Sequence, residues 1–315
     1  MSEPNNLPTG TRIAVIGAGT IGCGWASLFL CRGHDVALSD PAPDFRGRFE
    51  RFHERARDGL GRIGLATRPE GKISFASDPA IACDGAALVQ ENAPERLDVK
   101  RALYARIEQA LAPEAIVASS TSGLKMSELQ AGCRHPERFA VGHPFNPPHL
   151  IPLVEVVGGK ETSEATIERL MAFYAGLGKR PIRLNAEVAG HLANRLQVAL
   201  WREAVHAVAS GLASVADVDA AIAYGPGLRW AMMGPNLTFH LAGGEGGFRH
   251  FLEHLAPAVE AWWQDLGTPT LTPELKQRLA AGVEAEAGNR SIEELARLRD
   301  ERLLQLLSLP ASGLP

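Results

Sequence analysis

A histidine and a glutamate separated by a proline-rich stretch are the first residues that could do chemistry. His143 opens the stretch and Glu155 follows twelve residues later, with Pro147, Pro148 and Pro152 between them. Each proline lacks an N–H and fixes φ, so a helix cannot run through this segment. We therefore expect a stiff loop that leads into a strand. A neutral histidine is the usual general base near pH 7, and a carboxylate partner fixes its tautomer and raises its pKa. The pair predicts proton abstraction if the fold brings the two side chains together.

A glycine-rich turn follows the first apolar run of the chain. The run at residues 12–16 has the composition of a strand, and Gly17, Gly19 and Gly22 come directly after it in the pattern G-x-G-x-x-G. In dinucleotide-binding proteins these glycines make the tight turn, let the backbone approach a pyrophosphate and permit close packing of helix on strand. The turn therefore predicts a phosphate-binding loop.

The elements after this turn are those that the fingerprint requires. A helix is predicted from residue 25 to residue 31, and the amides before it, at Thr20 and Ile21, would hold the pyrophosphate. A second strand at 34–40 ends on Asp40, whose carboxylate would accept hydrogen bonds from the adenosine ribose. An acid at this place repels a 2′-phosphate, so the sequence predicts NAD rather than NADP.

Further strands are predicted at residues 86–90, 115–119, 139–142 and 153–157. In open α/β sheets, ligands bind beyond the carboxyl ends of the parallel strands. Five residues that could bind a ligand or take part in a reaction lie at or just beyond such ends: Gly17, Asp40, Glu91, Ser122 and His143. Residues distant in sequence would therefore converge on one crevice.

The second half of the chain changes to helical patterns. A strand at 180–184 closes the first half, and a long apolar-periodic helix is predicted at 193–210. We predict an α/β fold, namely a Rossmann-type doubly wound sheet followed by an all-α C-terminal domain. The NAD-binding domain would span residues 1–186, and a helical substrate-binding and dimerisation domain would span residues 187–315. The apolar helical faces favour a homodimer through that second domain.

Composition excludes several functional classes. The chain has 315 residues, 45% of them hydrophobic and 22% charged, and a net charge of −4 without a long basic run. A dedicated nucleic-acid binder is therefore not expected. No apolar stretch is long enough to span a membrane, and the polar start of the chain is unlike a signal peptide. The four cysteines are scattered, which favours the cytoplasm and predicts neither a metal site nor a disulfide framework.

The order and spacing of these motifs resemble those of the 3-hydroxyacyl-CoA dehydrogenase superfamily over nearly the whole chain. The segments that carry the resemblance are residues 17–22, 90–96, 119–123, 143–155 and 194–196. Within the superfamily the chain is most similar to the free-acid branch, which includes carnitine 3-dehydrogenase and the lambda-crystallin-like L-gulonate 3-dehydrogenase. That closer likeness lies in residues 120–124, 143–144, 227–230 and 241–245.

The resemblance implies an NAD-dependent oxidation of the 3-hydroxyl of a small L-3-hydroxy acid to the 3-oxo acid. His143 would take the hydroxyl proton and Glu155 would orient it. Ser122 and Asn194 would hydrogen-bond the reacting oxygen. The family positions that contact the ribose on the nicotinamide side are matched by Glu95 and Lys100. Such a reaction needs neither a metal nor a covalent nucleophile.

Two departures from the acyl-CoA enzymes indicate a different substrate. Those enzymes hold the CoA with a long helical insertion between their second and third strands. Here only residues 40–73 are available, and we expect Gly59, Gly61 and Gly64 to interrupt any helix there. The second departure is the pair Arg229 and Trp230, since a guanidinium fork suits a free carboxylate. A salt bridge at a helix end is the other interpretation of Arg229.

L-carnitine, oxidised to 3-dehydrocarnitine, is the substrate that the resemblance favours. Its quaternary ammonium could be held by aromatic faces, each contact contributing roughly 0.5 to 2 kcal/mol, and Phe145 and Trp230 are candidates. The second half of the chain has further aromatic residues, namely Trp201, Phe239, Phe248, Trp262 and Trp263. Aromatic residues in helices, however, more often belong to the hydrophobic core. L-Gulonate and a short-chain L-3-hydroxyacyl-CoA are the alternative substrates. A non-catalytic protein that keeps the fold and an NAD-dependent imine or amino-acid reductase are the alternative functions.

Overall fold

The computed structural model describes residues 7–66 and 69–309, which divide into two compact units. The first unit contains the chain up to Asn194 together with residues 303–308, and the second contains residues 195–302 and residue 309. The sequence places the change of character slightly earlier, near residue 186. The first unit holds the sheet and the second is helical.

One sheet of eight strands forms the centre of the first unit. Its strands, in chain order, are β1 (Arg12–Ile16), β2 (Asp35–Ser39), β3 (Ile73–Ala76), β4 (Leu88–Glu91), β5 (Ile116–Ser119), β6 (Phe139–Pro144), β7 (Leu153–Gly158) and β8 (Arg180–Arg183). Their spatial order is β3-β2-β1-β4-β5-β6-β7-β8, and all neighbours are parallel except β6 and β7. The parallel strands β1, β2, β4, β5 and β6 thus present their carboxyl ends at one edge, as the sequence predicts.

Two hydrophobic cores cover the two faces of this sheet. Successive residues of a strand point to opposite faces, so Ile13 and Val15 join one core while Ala14 and Ile16 join the other. The helices of this unit are α1 (Thr20–Cys31), α2 (Phe45–Arg62), α3 (Pro79–Cys83), α4 (Leu97–Ile107), α5 (Met126–Leu129) and α6 (Glu164–Gly176). Helices α1, α2 and α6 contribute to the first core, and α3, α4 and α5 to the second. The predicted Rossmann-type doubly wound fold is therefore confirmed.

Helix α2 corrects one expectation from the sequence. It runs without interruption through Gly59 and Gly61, although glycine costs about 1 kcal/mol relative to alanine inside a helix. Packing outweighs that cost, because a Cβ on Gly59 would lie 3.4 Å from the Leu304 methyl groups and Leu60 is fully buried. The helix ends at Arg62, two residues before Gly64. The φ of 72° at Gly64 is the left-handed geometry that follows many helix C-termini. The prediction that these glycines prevent a helix was wrong.

The second unit consists of helices joined by short turns. They are α7 (Ala193–Ser210), α8 (Val215–Ala223), α9 (Pro226–Trp230), α10 (Pro235–Ala242), α11 (Gly247–Asp265), α12 (Pro273–Ala287) and α13 (Ile292–Leu307), with α7 starting and α13 ending in the first unit. Side-chain caps fix two starts, because the Ser214 and Thr272 hydroxyls accept amide hydrogen bonds from Asp217 and Leu275. No helix in residues 7–66 and 69–309 combines the length and apolarity of a membrane span.

Candidate active site

His143 lies on a strand rather than in the loop expected from the prolines. Strands β6 and β7 are antiparallel, and their register places His143 directly opposite Glu155. Pro144 is the last residue of β6, so its missing N–H affects only the end of the strand. The loop is therefore confined to residues 145–152. Its length brings the two strands back in a register that joins the histidine Nδ1 and a glutamate Oε2 at 2.9 Å.

The Glu155 carboxylate is fully buried and held by three hydrogen bonds. One oxygen faces His143, and the other accepts the backbone amides of Leu192 and Ala193 at 2.9 and 2.8 Å. These amides stand at the start of α7, where the helix dipole favours a negative charge. Burial alone would raise the pKa of Glu155, but the hydrogen bonds from His143 and the two amides outweigh it and lower that pKa. The carboxylate is therefore ionised at neutral pH.

An ionised Glu155 fixes the tautomer of His143. Because a carboxylate only accepts, Nδ1 of the imidazole carries a proton, and in the neutral ring the lone pair is then on Nε2. The ring is mostly buried, with the Phe145 ring centroid 5.3 Å away and that of a further histidine, His191, 5.1 Å away. No hydrogen bond occupies Nε2 in the described part of the chain. The arrangement leaves the second ring nitrogen free to accept a proton.

Glu95 clamps the loop that carries Ser122. Its Oε1 accepts hydrogen bonds from the Thr121 hydroxyl at 2.6 Å and from the amides of Ser122 and Gly123, both at 2.9 Å. Burial would raise the pKa of Glu95, but these hydrogen bonds and the nearby Lys100 ammonium lower it overall. The Ser122 hydroxyl is exposed just beyond the carboxyl end of β5. The carboxylate of Glu95 thus positions this loop; its side chain is 40% exposed, and its second oxygen lies 3.8 Å from the Lys100 ammonium.

Lys100 forms a buried ion pair behind Glu95. Its ammonium is buried, 2.6 Å from a carboxylate oxygen of Glu91 and 3.8 Å from one of Glu95. The other oxygen of Glu91 accepts the hydroxyls of Tyr104 and Ser119 at 2.8 and 2.6 Å. A buried ion pair of this kind is tolerated because every member is hydrogen-bonded. Lys100 therefore pairs with Glu91 and lies beside Glu95, and the ribose contact that the resemblance implies stays a prediction.

The glycine-rich loop has the shape that a dinucleotide requires. Gly17 has a φ of 91°, and a Cβ on it would lie 2.5 Å from the carbonyl oxygen of Asn92. A Cβ on Gly22 would lie 1.7 Å from the Gly17 carbonyl oxygen, whereas one on Gly19 would meet nothing within 4 Å. Gly19 caps α1 without a side-chain hydrogen bond. The first amides of α1, beginning at Thr20 and Ile21, thus have no intrahelical partner and fit an anionic pyrophosphate.

Asp40 is built into the same loop. Its two carboxylate oxygens accept the amide of Ala18 at 2.6 Å and that of Ala42 at 2.9 Å. Carboxylate oxygens have further lone pairs, so these bonds leave acceptor capacity for ribose hydroxyls. Arg48, which the sequence did not single out, lies 3.9 Å from Asp40 and donates to the Ala18 carbonyl at 3.1 Å. The residues at this end of the sheet therefore fit the adenosine half of NAD.

The remaining predicted residues lie at different places. Asn194 is the second residue of α7, next to the Ala193 amide that binds Glu155, and its side chain is half-buried. Phe145 is half-buried beside His143. Arg229 and Trp230 end the short helix α9 in the second unit, and both are exposed. Arg229 forms no salt bridge with any described residue, so the helix-end ion pair considered from the sequence is not seen there.

Comparison with known families assigns the chain that carries this site to a family. Residues 12–188 match the model of the NAD-binding domain of 3-hydroxyacyl-CoA dehydrogenase, and residues 190–280 match the model of the C-terminal domain of the same family. The chain belongs to the 3-hydroxyacyl-CoA dehydrogenase family. As a member of that family, it is an NAD-dependent oxidoreductase that acts on a CH–OH group.

Several members of the 3-hydroxyacyl-CoA dehydrogenase family are similar to this chain over nearly their whole length. L-carnitine dehydrogenase of Streptomyces coelicolor is 48% identical over 98% of this chain and 96% of its own. L-carnitine dehydrogenase of Bacillus cereus is 47% identical with the same coverage. Among solved structures, the NAD-dependent dismutase 5-formyl-3-hydroxy-2-methylpyridine 4-carboxylic acid 5-dehydrogenase aligns with a TM-score of 0.83 and 31% identity, covering 94% of this chain and 96% of its own.

Sequence reasoning missed a buried lysine that anchors the loop beside His143. Lys179 donates from its amine to the carbonyl oxygens of Pro148 and Ile151, the latter at 2.9 Å. Burial lowers the pKa of this amine to about 7. A lysine directly before a predicted strand gives no signal of such a contact, because both acceptors are backbone atoms about thirty residues away.

Proposed function

We propose that this chain is an L-carnitine dehydrogenase, which oxidises the 3-hydroxyl of L-carnitine to 3-dehydrocarnitine with NAD. The observation that carries the proposal is the buried His143–Glu155 pair, whose free Nε2 lies at the end of a dinucleotide-binding sheet. The substrate class follows from L-carnitine dehydrogenases that are 44–48% identical over 93–98% of this chain.

His143 removes the hydroxyl proton in this proposal. Its Nε2 accepts the proton as the hydrogen on carbon 3 departs as hydride, and NAD supplies the acceptor for that hydride. The imidazolium that forms is stabilised by the ionised Glu155 on Nδ1. Glu155 itself stays ionised because the Leu192 and Ala193 amides bind its second oxygen. No atom of the chain becomes covalently attached to the substrate.

Ser122 and Asn194 are proposed to hydrogen-bond the reacting oxygen. Ser122 is presented by the loop that Glu95 clamps, and Asn194 by the start of α7. Neither position depends on a long flexible segment, since both follow directly from hydrogen-bonded backbone. The Ser122 hydroxyl donates to Glu95 Oε1 at 3.4 Å in the structure and turns to the substrate oxygen in this proposal. Polar groups on a fixed backbone then stabilise the charge that develops on that oxygen.

The two ends of L-carnitine have chemically distinct requirements. Its carboxylate suits the guanidinium of Arg229, which carries no salt bridge in the described residues. Its quaternary ammonium suits aromatic faces, of which Phe145 beside His143 and the exposed Trp230 are the proposed ones. The short link between β2 and β3 does carry a full helix, α2, so its length alone no longer argues against CoA. The choice of a free acid as substrate therefore rests on the sequence identity with L-carnitine dehydrogenases and on the guanidinium of Arg229, which is unpaired among the described residues.

A panel of substrates tests the proposed function directly. NADH formation is measured with L-carnitine, L-gulonate, 3-hydroxybutyrate and 3-hydroxybutyryl-CoA at equal concentrations. We expect kcat/KM to be highest for L-carnitine. Activity on the CoA ester alone would overturn the free-acid assignment, and no NADH from any of the four would indicate a protein that keeps the fold without the catalysis.

Replacing Arg229 by Ala should raise the KM for L-carnitine by about ten- to a hundredfold, the equivalent of roughly 1.5 to 3 kcal/mol for a charged hydrogen bond. The kcat should change much less, because the guanidinium holds the carboxylate equally in ground and transition states. Arg278→Ala, an exposed arginine on α12 without a proposed role in the site, is the matched control and should leave the KM unchanged. An unaltered KM in Arg229→Ala would remove this residue from the substrate site.

A homodimer through the second unit is also proposed. Helix α7 exposes four large apolar side chains, Leu196, Val198, Leu200 and Trp201, between 40% and 60%. Apolar patches of this kind on a helical surface are typical of interfaces between proteins. A second copy of the chain is the proposed occupant, and sedimentation should give twice the mass of 33.7 kDa. A monomer at micromolar concentration would contradict it.

The proposed compartment is the cytoplasm. All four cysteines are free thiols, and three of them are buried. Free thiols persist in a reducing compartment, whereas an oxidising one favours disulfides.

A further inference from the structure

His191 is a second histidine beside the proposed base, and the mechanism above gives it no role. Its side chain is only 2% exposed, and its ring centroid lies 5.1 Å from that of His143. It directly precedes the two residues, Leu192 and Ala193, whose amides bind Glu155. A buried imidazole at this place therefore contacts the base itself and adjoins the amides that hold its carboxylate partner.

The hydrogen bond of His191 crosses to a different element. Its Nε2 lies 3.0 Å from the carbonyl oxygen of Thr121, at the start of the loop that presents Ser122. A carbonyl only accepts, so Nε2 carries the proton and Nδ1 is unprotonated. That Nδ1 is buried without a hydrogen-bond partner among the described residues. Burial, as the largest cause, lowers the pKa of His191, so the ring is neutral.

The backbone at His191 is strained, and this conformation directs the next two amides towards Glu155. Its φ of 49° is the one positive value outside glycine in residues 7–66 and 69–309. Positive φ costs a non-glycine residue energy and persists where the surroundings impose it. Here the turn brings both following amides onto one oxygen of Glu155. The side chain of the strained residue is at the same time hydrogen-bonded to the Ser122 loop.

We propose that His191 is a positioning residue that ties the Ser122 loop to the amide turn holding Glu155, and so fixes Ser122 and His143 relative to each other. The inference rests on the proposed function, because these two groups act on the same substrate oxygen. An uncharged ring suits this place, since a cation would repel the imidazolium that forms on His143. Misplacement of a reacting group by about 1 Å can cost on the order of a hundredfold in rate.

Two substitutions separate the hydrogen bond from the ring. His191→Gln keeps an N–H donor near the position of Nε2, whereas His191→Phe keeps an aromatic ring and loses the donor. Both residues meet the same backbone strain, so their difference reports the hydrogen bond. We expect kcat to fall about tenfold or more in His191→Phe, with the KM for L-carnitine and for NAD changed less than about threefold, and to recover largely in His191→Gln.

A double-mutant cycle with Ser122→Ala tests the route of the effect. If His191 acts by placing Ser122, its loss matters less once the Ser122 hydroxyl is absent, and the two kcat effects are not additive. Equal fold-losses in the presence and absence of the hydroxyl, or a loss in His191→Phe that merely follows a fall in folded fraction, would show a structural role and overturn the proposal.

Hydrogen exchange gives a readout that does not depend on the substrate. His191→Phe should increase exchange at the amides of Ser122 and Gly123 as well as at those of Leu192 and Ala193, whereas His191→Gln should not. Unchanged exchange at Ser122 and Gly123 would overturn the coupling. Failure of the wild type on the whole substrate panel would instead remove the proposed function and leave this exchange result standing on its own.

Discussion

Replacing His143 by Gln or Ala should lower kcat for L-carnitine by about two orders of magnitude or more, the range that general-base catalysis contributes. The reason is that Nε2 of His143 is the group proposed to take the hydroxyl proton, and a glutamine amide cannot accept one at neutral pH. The affinity for NAD should stay within about twofold, because the Gly17–Gly22 loop does not involve His143. Steady-state NADH formation at saturating L-carnitine and NAD measures the first quantity, and calorimetric titration with NAD measures the second.

A second substitution changes the partner of the base. Glu155→Gln keeps the shape of the side chain but removes the charge that stabilises the imidazolium, so its kcat should also fall, while NAD affinity again stays unchanged. If His143→Gln retains more than about a tenth of the wild-type kcat, proton removal is done by another group and the site assignment fails.

Replacing Gly19 by Ala should weaken NAD binding on the order of ten- to a hundredfold, equivalent to about 1.4 to 2.8 kcal/mol. A Cβ here meets no atom of the chain within 4 Å, and the φ of −72° suits any residue, so the substitution leaves the protein itself undisturbed. The added methyl group instead occupies the space where the pyrophosphate approaches the backbone. Titration with NAD gives the affinity, and the thermal unfolding temperature without NAD should remain that of the wild type.

Gly22→Ala is the contrasting variant. Its Cβ would lie 1.7 Å from the Gly17 carbonyl oxygen, a clash within the chain that backbone must move to relieve. This variant should therefore unfold at a lower temperature even in the absence of NAD, as overpacking typically costs 1 to 3 kcal/mol. If Gly19→Ala binds NAD as tightly as the wild type, the dinucleotide does not approach the backbone at this position.

The elements of the first unit follow closely from local sequence patterns. The strand at 12–16, the glycine-rich turn and the acid at Asp40 appear at the predicted positions because each depends on neighbours in the chain. Apolar runs bounded by glycine and charge specify buried parallel strands, and strand polarity then places their carboxyl ends at one edge. The approximate location of the site is therefore contained in the sequence.

The errors arise where distant residues decide the outcome. Gly59 and Gly61 reduce helix propensity, but burial of the α2 face against residues far along the chain outweighs that local preference. The prolines predict a loop, but pairing of β6 with β7 extends the strand through Pro144.

The sequence by itself determined the fold class, the cofactor loop and the identities of the proposed base and its carboxylate. Only the tertiary structure decided how they are held: which strand register sets His143 opposite Glu155, which amides keep that glutamate ionised, and that His191 lies beside the base. The physical reason is that local patterns encode backbone conformation within a few residues. Hydrogen bonds between segments as far apart as Thr121 and His191 depend instead on how the completed sheet brings their ends together.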